Sequence, residues 1–195
     1  YVRGGMGALS DSIASACRDL GVEILLESGV DKISVNKRAT GIILSDSREL
    51  SAKCVISSAD PHVTFLRLLD ESVLPSDFRD KIDQMDFKSA TAKMNLHLSE
   101  LPDFIAFPGT NSGPQHSGTI HISPTMDFLE KAYDEAKYGR PSRHPMIEAT
   151  IPSTVDDTLA PKGEHVMGIF CQYAPYKLKE GNWEDEKTLF ANRII

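Results

Sequence analysis

The sequence lacks any block of Lys or Arg, and its formal net charge is -7 over 195 residues. A phosphate backbone would meet no basic stripe of the kind that nucleic-acid-binding proteins use, so nucleic acid is disfavoured as a partner. No apolar run reaches the roughly 18 to 20 residues that a membrane-spanning helix needs. No positively charged start leads into an apolar stretch in the manner of a signal peptide.

Residues that carry recognisable chemistry are few. Cys17, Cys54 and Cys171 are far apart among apolar neighbours, which predicts reduced, buried thiols rather than a disulfide framework. The six histidines include no pair at the helical spacing of two metal ligands, so no metal site is expected. No Gly-x-Ser-x-Gly elbow is present, and no catalytic residue stands out. Asp156 and Asp157 are adjacent, so they should point to opposite faces of a strand or be solvated in a turn.

The composition, with 41% hydrophobic and 25% charged residues, is that of a globular protein able to bury a core. The chain begins at Tyr1 rather than Met, and it ends at Ile194 and Ile195 inside an apolar and polar pattern. These features predict an internal piece of a longer chain.

The first 62 residues predict an α/β unit. Glycines at 4, 5 and 7 lead into a helix over residues 9–20, which Gly21 ends. Strands are predicted at 22–26, 30–35, 41–44 and 50–58, the last covered on both faces because Cys54, Val55 and Ile56 are contiguous and apolar. The helix would return the chain to a parallel sheet, with a hairpin beside it, and the unit closes near Pro61.

Residues 63–195 predict a second domain with a mixed sheet and helices. Helical spacing covers 63–85, with Ser76 as a cap, and 126–138. Strict alternation over 90–98 predicts a strand with one buried face, and further strands are predicted at 119–122, 146–151 and 165–173. The segment 102–124, rich in Gly, Pro, Ser and His, reads as a long loop around the short strand. The overall class is therefore α/β locally and α+β as a whole, divided at residue 62.

Gly5, Gly7 and Ser10 nearly match the dinucleotide fingerprint, in which glycines let a pyrophosphate approach a helix N-terminus. No strand precedes them in this chain, and the third glycine position is Ser10. A pyridine-nucleotide site and a plain tight turn both remain open at this point.

Three segments in order resemble a known family: Gly4–Gly7 before a helix, Glu27–Ile33 before a hairpin, and Cys54–Pro61. The chain resembles the phytoene desaturase and amine oxidase superfamily of FAD-dependent oxidoreductases. The later run, over residues 151–154, 158–161 and 172–176, narrows the resemblance to a phytoene-desaturase-like branch associated with mitochondria.

The resemblance implies a partial Rossmann-like FAD-binding domain and a substrate-side domain, with FAD as the cofactor. Val30 would lie on a strand whose backbone amide and carbonyl bind the adenine, so its side chain needs no special chemistry. Gly4, Gly5, Ser58 and Ala59 would lie near the cofactor, where small residues permit close approach. The family's N-terminal strand, its glycine fingerprint, its ribose-binding acid and its C-terminal segment have no match here. The piece alone is therefore expected to bind FAD poorly and to be inactive.

Two functions follow from the resemblance. The leading hypothesis is a phytoene dehydrogenase-like, FAD-dependent oxidoreductase with a small-molecule or lipid-like substrate, located in the mitochondrial matrix or peripherally on the inner membrane. The alternative is a non-enzymatic interaction or regulatory protein of mitochondria that retains the flavoprotein fold. Its motivation is the lack of a catalytic side chain, and the loop 102–124 would be its first contact surface for a protein partner.

Overall fold

The computed structural model describes residues 2–195 and divides into two compact units. The first unit contains the chain up to Ala16 together with Lys88–Ile195, and the second contains Cys17–Phe87. These boundaries differ from the single boundary at residue 62. That boundary separates cofactor and substrate roles, which compactness does not measure, so it stays a prediction.

The predicted glycine turn and first helix are confirmed. Helix α1 spans Gly5–Asp19 and ends at Gly21, which adopts a φ of +81°. The amide of Gly21 donates to the carbonyl of Arg18 at 2.9 Å, and the amide of Val22 donates to that of Cys17 at 3.0 Å. These bonds satisfy carbonyls that the end of a helix leaves without partners.

The second unit is built on a small antiparallel sheet. Its strands β1 (Val30–Asn36), β2 (Arg38–Leu44) and β3 (Glu49–Ser51) follow one another in space as in sequence. A π-helical turn at His62–Arg67, a 3₁₀ turn at Glu71–Val73 and helix α2 (Ser76–Asp83) complete the unit. Its buried apolar side chains are Ile33, Leu44 and Ile82.

Two predicted strands of this unit are wrong. Residues 22–26 form no strand, and only Leu50 and Ser51 of the predicted strand 50–58 belong to a strand, β3. Ile56, expected to be buried, is 92% exposed. An apolar run becomes a strand only where a neighbouring strand accepts its backbone hydrogen bonds, and within the described residues these two runs have none. The sheet is antiparallel and contains no parallel pair.

The predicted helix over 63–85 is divided into three short pieces. Asp70 and Leu74, on either side of the 3₁₀ turn, have extended backbone conformations that interrupt the helical path. Pro75 occupies the N-cap of α2, and no side chain caps it, so Ser76 is the first helical residue rather than the cap. Proline is tolerated here because the N-cap lies outside the helix, so its missing amide hydrogen removes no bond within the helix.

The first unit contains a four-stranded sheet in the order β4-β7-β6-β5. The strands are β4 (Thr91–Leu98), β5 (Thr119–Ile122), β6 (Met146–Thr150) and β7 (His165–Gln172), all close to their predicted positions. Every pairing is antiparallel, whereas the sequence predicted a mixed sheet. The α+β class itself is confirmed.

One face of this sheet forms the main core. Helix α4 (Trp183–Asn192) contributes Phe190, which packs with Ala149, Ile169, Cys171 and Ala174. Because side chains alternate across a strand, residues of β4, β6 and β7 reach this core at every second position. Within the described residues, no helix is both long enough and apolar enough to cross a membrane.

Helix α3 (Met126–Lys137) is fastened by a fully buried serine. The hydroxyl of Ser142 donates to the carbonyl of Ala132 at 2.5 Å and accepts from the amide of Tyr173 at 3.2 Å. The amide of Ser142 returns a bond of 3.0 Å to the Tyr173 carbonyl. The serine therefore links the helix to the segment that follows β7.

The first prediction concerns Gly41 in β2. A Cβ at this position would lie 2.2 Å from the carbonyl oxygen of Leu50 in the adjacent chain segment. Gly41→Ala should lower the free energy of unfolding by about 2 kcal/mol or more, since overpacking against rigid atoms typically costs 1–3 kcal/mol. Gly7→Ala is the control: nothing lies within 4 Å of its new methyl group. Thermal unfolding of the full-length variants measures both, and equal midpoints would contradict the close approach.

The prediction of reduced, buried cysteines is confirmed only in part. All three are free, but Cys54 is exposed and Cys17 is half-buried, so Cys171 alone is a buried thiol. The apolar neighbours of Cys54 in the sequence do not cover it, because the run that contains them pairs with no strand.

The second prediction uses the burial of Cys171, which raises the pKa of its thiol to about 11. At pH 8 only about one thiol in a thousand would be the reactive thiolate, and that sulfur is also covered. Iodoacetamide should therefore label Cys54 in the native full-length protein and Cys171 only after denaturation, as peptide mass mapping will show. Equal labelling rates of Cys171 in the native and denatured states would contradict its burial.

Candidate functional site

A groove in the second unit is lined by three of the five predicted cofactor residues. Val30, Ser58 and Ala59 line a cavity of about 440 Å³. Val30 opens β1 and is half-buried, whereas Ser58 and Ala59 are exposed just before the π-helical turn. Apolar side chains supply most of the remaining lining: Ile33, Ile42, Val55, Ile56, Val63 and Leu68. The structure thus brings together residues that are almost 30 positions apart in the sequence.

The Ser58–Ala59 segment is held by its own neighbours. The Asp60 carboxylate accepts from the amide of Val63 at 3.0 Å, and the Asp60 carbonyl accepts from the amide of Thr64 at 2.9 Å. The hydroxyl of Thr64 donates to the Ala59 carbonyl at 3.2 Å and lies 2.7 Å from the hydroxyl of Ser57. Short polar side chains of this kind bond readily to nearby backbone. They fix the segment without occupying the groove.

The backbone around Val30 is fixed by Ser45. The amide of Ser45 donates to the Gly29 carbonyl at 2.9 Å, and its hydroxyl lies 2.8 Å from the carboxylate of Asp31. The register between β1 and β2 shifts after Val30, so the ladder is irregular at this point. Such irregularities redirect a strand locally and are frequent beside binding sites.

Gly4 and Gly5, the other two predicted residues, form a tight turn in the first unit. Their φ angles are +84° and +75°, a region that disfavours any side chain. The amide of Gly5 donates to the Val2 carbonyl at 2.9 Å, and the amide of Gly4 donates to a carboxylate oxygen of Asp156 at 2.7 Å. The turn leads directly into α1.

The acid that accepts a hydrogen bond from the Gly4 amide is buried, contrary to the expectation from the sequence. Asp156 was expected to be solvated or to point away on a strand, yet it is 4% exposed in the turn after a 3₁₀ segment. Its other oxygen accepts from Thr158, at 2.6 Å from the hydroxyl and 3.1 Å from the amide. These bonds from Thr158, with that from Gly4, lower the pKa of the Asp156 carboxyl.

Its neighbour Asp157 behaves as a surface residue. The Asp157 carboxylate is exposed and lies 3.2 Å from the guanidinium of Arg3. An exposed pair of this kind contributes little to stability. The spacing Asp156-x-Thr158 is a signal that the acid caps its own turn, since Asp often bonds to backbone two residues on. The bond to Gly4 could not be predicted in this way, because Gly4 is 152 positions away in the sequence.

The described part of the chain contains no group of three or more His, Cys, Asp or Glu side chains arranged to hold a metal ion. Instead, four of the five predicted cofactor residues have a small side chain or none, and hydrogen bonds fix the backbone around them. Such an arrangement favours the close approach of an organic ligand.

Comparisons with known proteins identify the family of this chain. The family model described as flavin containing amine oxidoreductase matches residues 1–159. A mouse protein, pyridine nucleotide-disulfide oxidoreductase domain-containing protein 2, is 43% identical over the whole chain, which spans 35% of its length. The phytoene desaturase (neurosporene-forming) of Rhodobacter capsulatus is 30% identical over the whole chain and 36% of its own length. The carrot chloroplastic prolycopene isomerase is 29% identical over the whole chain and 29% of its own.

The chain therefore spans about a third of the length of these relatives. A crystal structure of a Pyrococcus furiosus protein superposes on 98% of this chain and 39% of its own, with a TM-score of 0.64 and 16% identity. That likeness shows the fold alone. The resemblance deduced from the sequence segments is confirmed, and the chain belongs to the flavin-containing amine oxidoreductase family.

Proposed function

We propose that the protein containing this chain is an FAD-dependent oxidoreductase of the phytoene dehydrogenase-like type. Its membership of a flavin-containing family supports the cofactor. The observation that carries the proposal is the groove on which Val30, Ser58 and Ala59 converge. Three residues that match cofactor-binding positions of the family it resembles lie around a single cavity, although nothing in their local sequence requires it.

The groove suits one ring system of FAD. Its volume of about 440 Å³ falls within the range of ligand pockets, about 300–1,000 Å³. The backbone of Val30 would bind the adenine, while Ser58 and Ala59 leave room for close contact. The apolar lining would exclude water from the bound ring. When bound, FAD supplies the capacity to accept a hydride from a substrate carbon, and the protein supplies binding and orientation.

The substrate proposed is a small molecule or a lipid-like molecule. Relatives named for phytoene and prolycopene support this class. Flavin dehydrogenation depends chiefly on positioning, so the proposal assigns no catalytic acid or base. We place the protein in mitochondria, in the matrix or peripherally on the inner membrane, on the basis of the family branch it resembles. Imaging of a tagged full-length protein against a mitochondrial marker tests the location.

The third prediction tests the cofactor. Full-length protein, purified without added flavin, should be yellow and should release FAD on denaturation. The absorption spectrum and chromatography of the released cofactor provide the measurement. Colourless, folded full-length protein that releases no flavin would exclude the proposed function.

A substitution in the groove makes the test specific. Ala59→Leu should fill the groove and reduce the FAD bound per chain by about tenfold, since a misplaced side chain of this size costs 1–3 kcal/mol. Ala52→Leu is the matched control, because Ala52 is exposed in the same unit and lies outside the groove lining. Equal flavin content in the two variants would show that the groove is not part of the cofactor site.

A second candidate function is an interaction or regulatory role, and one observation favours it. Within the predicted contact loop, Ile105 is 99% exposed and Phe107 is 53% exposed. Both belong to a tight turn whose base is ordered by His116, which bonds the Pro102 carbonyl at 2.8 Å. Exposed apolar side chains on an ordered loop are typical of a protein contact.

Partner binding and flavin turnover, measured on the same protein, distinguish the two candidate functions. An interaction protein should lose its partner on Ile105→Ser while it keeps its flavin, and no metabolite should turn the flavin over. Steady reduction of the bound flavin by a metabolite, with turnover, would remove the reason for this candidate.

A further inference from the structure

The second unit contains a further cavity, larger than the groove beside Val30. Its volume is about 880 Å³, in the upper part of the range of ligand pockets, about 300–1,000 Å³. All of its lining residues fall between Ile33 and Leu74, so it belongs to one compact unit. The larger cavity and the groove share four lining residues: Ile33, Val55, Ser57 and Ala59.

Hydrocarbon side chains form most of the wall of this larger cavity. They come from the β1–β2 hairpin, from the segment before the π-helical turn, and from the residues between that turn and α2: Ile33, Val35, Ala39, Val55, Phe65, Leu69, Val73 and Leu74. Of these only Ile33 is buried, so the others keep apolar surface that a ligand would cover. Phe65 is held by α2, because its ring packs edge-on against that of Phe78 at 5.4 Å.

The hydroxyl groups in the wall already have partners. Those of Ser57 and Thr64 lie 2.7 Å apart, and the Thr64 hydroxyl donates to the Ala59 carbonyl at 3.2 Å. The Ser57 hydroxyl also accepts from the amide of Ala59 at 3.3 Å. A ligand inside the cavity would therefore contact mainly hydrocarbon. This favours an acyl chain over a sugar or a nucleobase, whose polar atoms would be left without hydrogen bonds.

Two cations lie at the solvent-exposed side of the cavity. Lys37 and Arg38 are both exposed, and they are the charged residues of its lining, which includes no described Asp or Glu. Lys37 alone forms the bend between β1 and β2, with a φ of +60°, because Asn36 pairs directly with Arg38. The bend therefore holds the two cations next to each other at one edge of the cavity.

Neither cation is neutralised by an acid of the described chain, although the net charge of the sequence is -7. Lysines of α3 and α4, in contrast, pair with acids of their own helix. Two unopposed cations beside an apolar cavity are complementary to an acidic head group that is joined to a hydrocarbon chain.

We propose that the larger cavity binds a long-chain fatty acid, with its hydrocarbon chain against the apolar wall and its carboxylate beside Lys37 and Arg38. A single chain suits the volume, since a phospholipid with two chains would extend beyond a pocket of this size. The site goes beyond the proposed function, because it assigns no redox step to the lipid and does not require the flavin.

The experiment measures binding of palmitate and of hexadecanol, which has the same chain length and an uncharged head, to the full-length protein. Each displaces cis-parinarate, a fatty acid whose fluorescence rises in an apolar site, and the displacement curve gives a Kd. Lys37→Gln combined with Arg38→Gln removes both cations. Arg18→Gln combined with Lys53→Gln is the matched control, because both residues are exposed in the same unit and line neither cavity.

Loss of Lys37 and Arg38 should weaken palmitate binding by about fivefold or more and change the Kd for hexadecanol by less than about twofold. The charged contacts are lost while the apolar contacts remain. Raised salt should weaken palmitate binding to the wild-type protein in the same direction, since it screens exposed charges. The control variant should leave both Kd values within about twofold of those of the wild-type protein.

A substitution in the wall tests the cavity itself. Ala39→Leu should weaken palmitate and hexadecanol alike, by about fivefold or more, because the added side chain occupies the space of the acyl chain. Ala52→Leu, exposed in the same unit and outside the lining, should change neither Kd.

The absence of palmitate binding to the wild-type protein would overturn the proposal. An unchanged Kd for palmitate without Lys37 and Arg38, an equal loss in the control variant, or an unchanged Kd in Ala39→Leu would each overturn it as well. If Ala39→Leu does not fold, the exchange of the two exposed cations still decides the question. Flavin released from the same preparations is measured separately, so a failure of the cofactor proposal is distinguished from a failure of the lipid site.

Discussion

In the first unit, the position of the glycine turn depends on the hydrogen bond from the Gly4 amide to the buried Asp156 carboxylate. It connects the start of the chain to a turn between two strands of the four-stranded sheet, and it fixes two glycines that would otherwise sample many conformations. The hydroxyl and amide of Thr158 donate to the other oxygen of the same carboxylate, and these bonds lower the pKa of Asp156. The partners of this single buried charge are two backbone amides and one hydroxyl, and one of the amides lies 152 residues away in the sequence.

Much of the fold could be predicted where the pattern is local. Strict alternation gave β4 within one residue, and helical spacing gave α3, because each of these elements contacts the core on one face only. The failures were residues 22–26 and 52–58, whose apolar runs resemble strands but have no described neighbour to pair with. Strand identity depends on a partner that may lie anywhere in a sequence, and periodicity contains no information about it.

The candidate site could be predicted less well from side-chain patterns than the fold. Val30, Ser58 and Ala59 came from the resemblance to a flavoprotein family rather than from any property of their side chains, and the structure gathers them around one groove. Asp156 was misjudged because its decisive partner is 152 residues away. The Asp-x-Thr spacing indicated a local turn and nothing beyond it. Backbone-based recognition leaves little trace in composition, so family resemblance and coordinates are both needed to find it.

The central claim is that the groove beside Val30 is part of a flavin site. An experimental structure of the full-length protein with FAD tests it most directly. The account predicts the cofactor in contact with Ser58 and Ala59, with the Val30 backbone hydrogen-bonded to the adenine. A structure in which FAD binds elsewhere, while Val30 faces solvent, would contradict it.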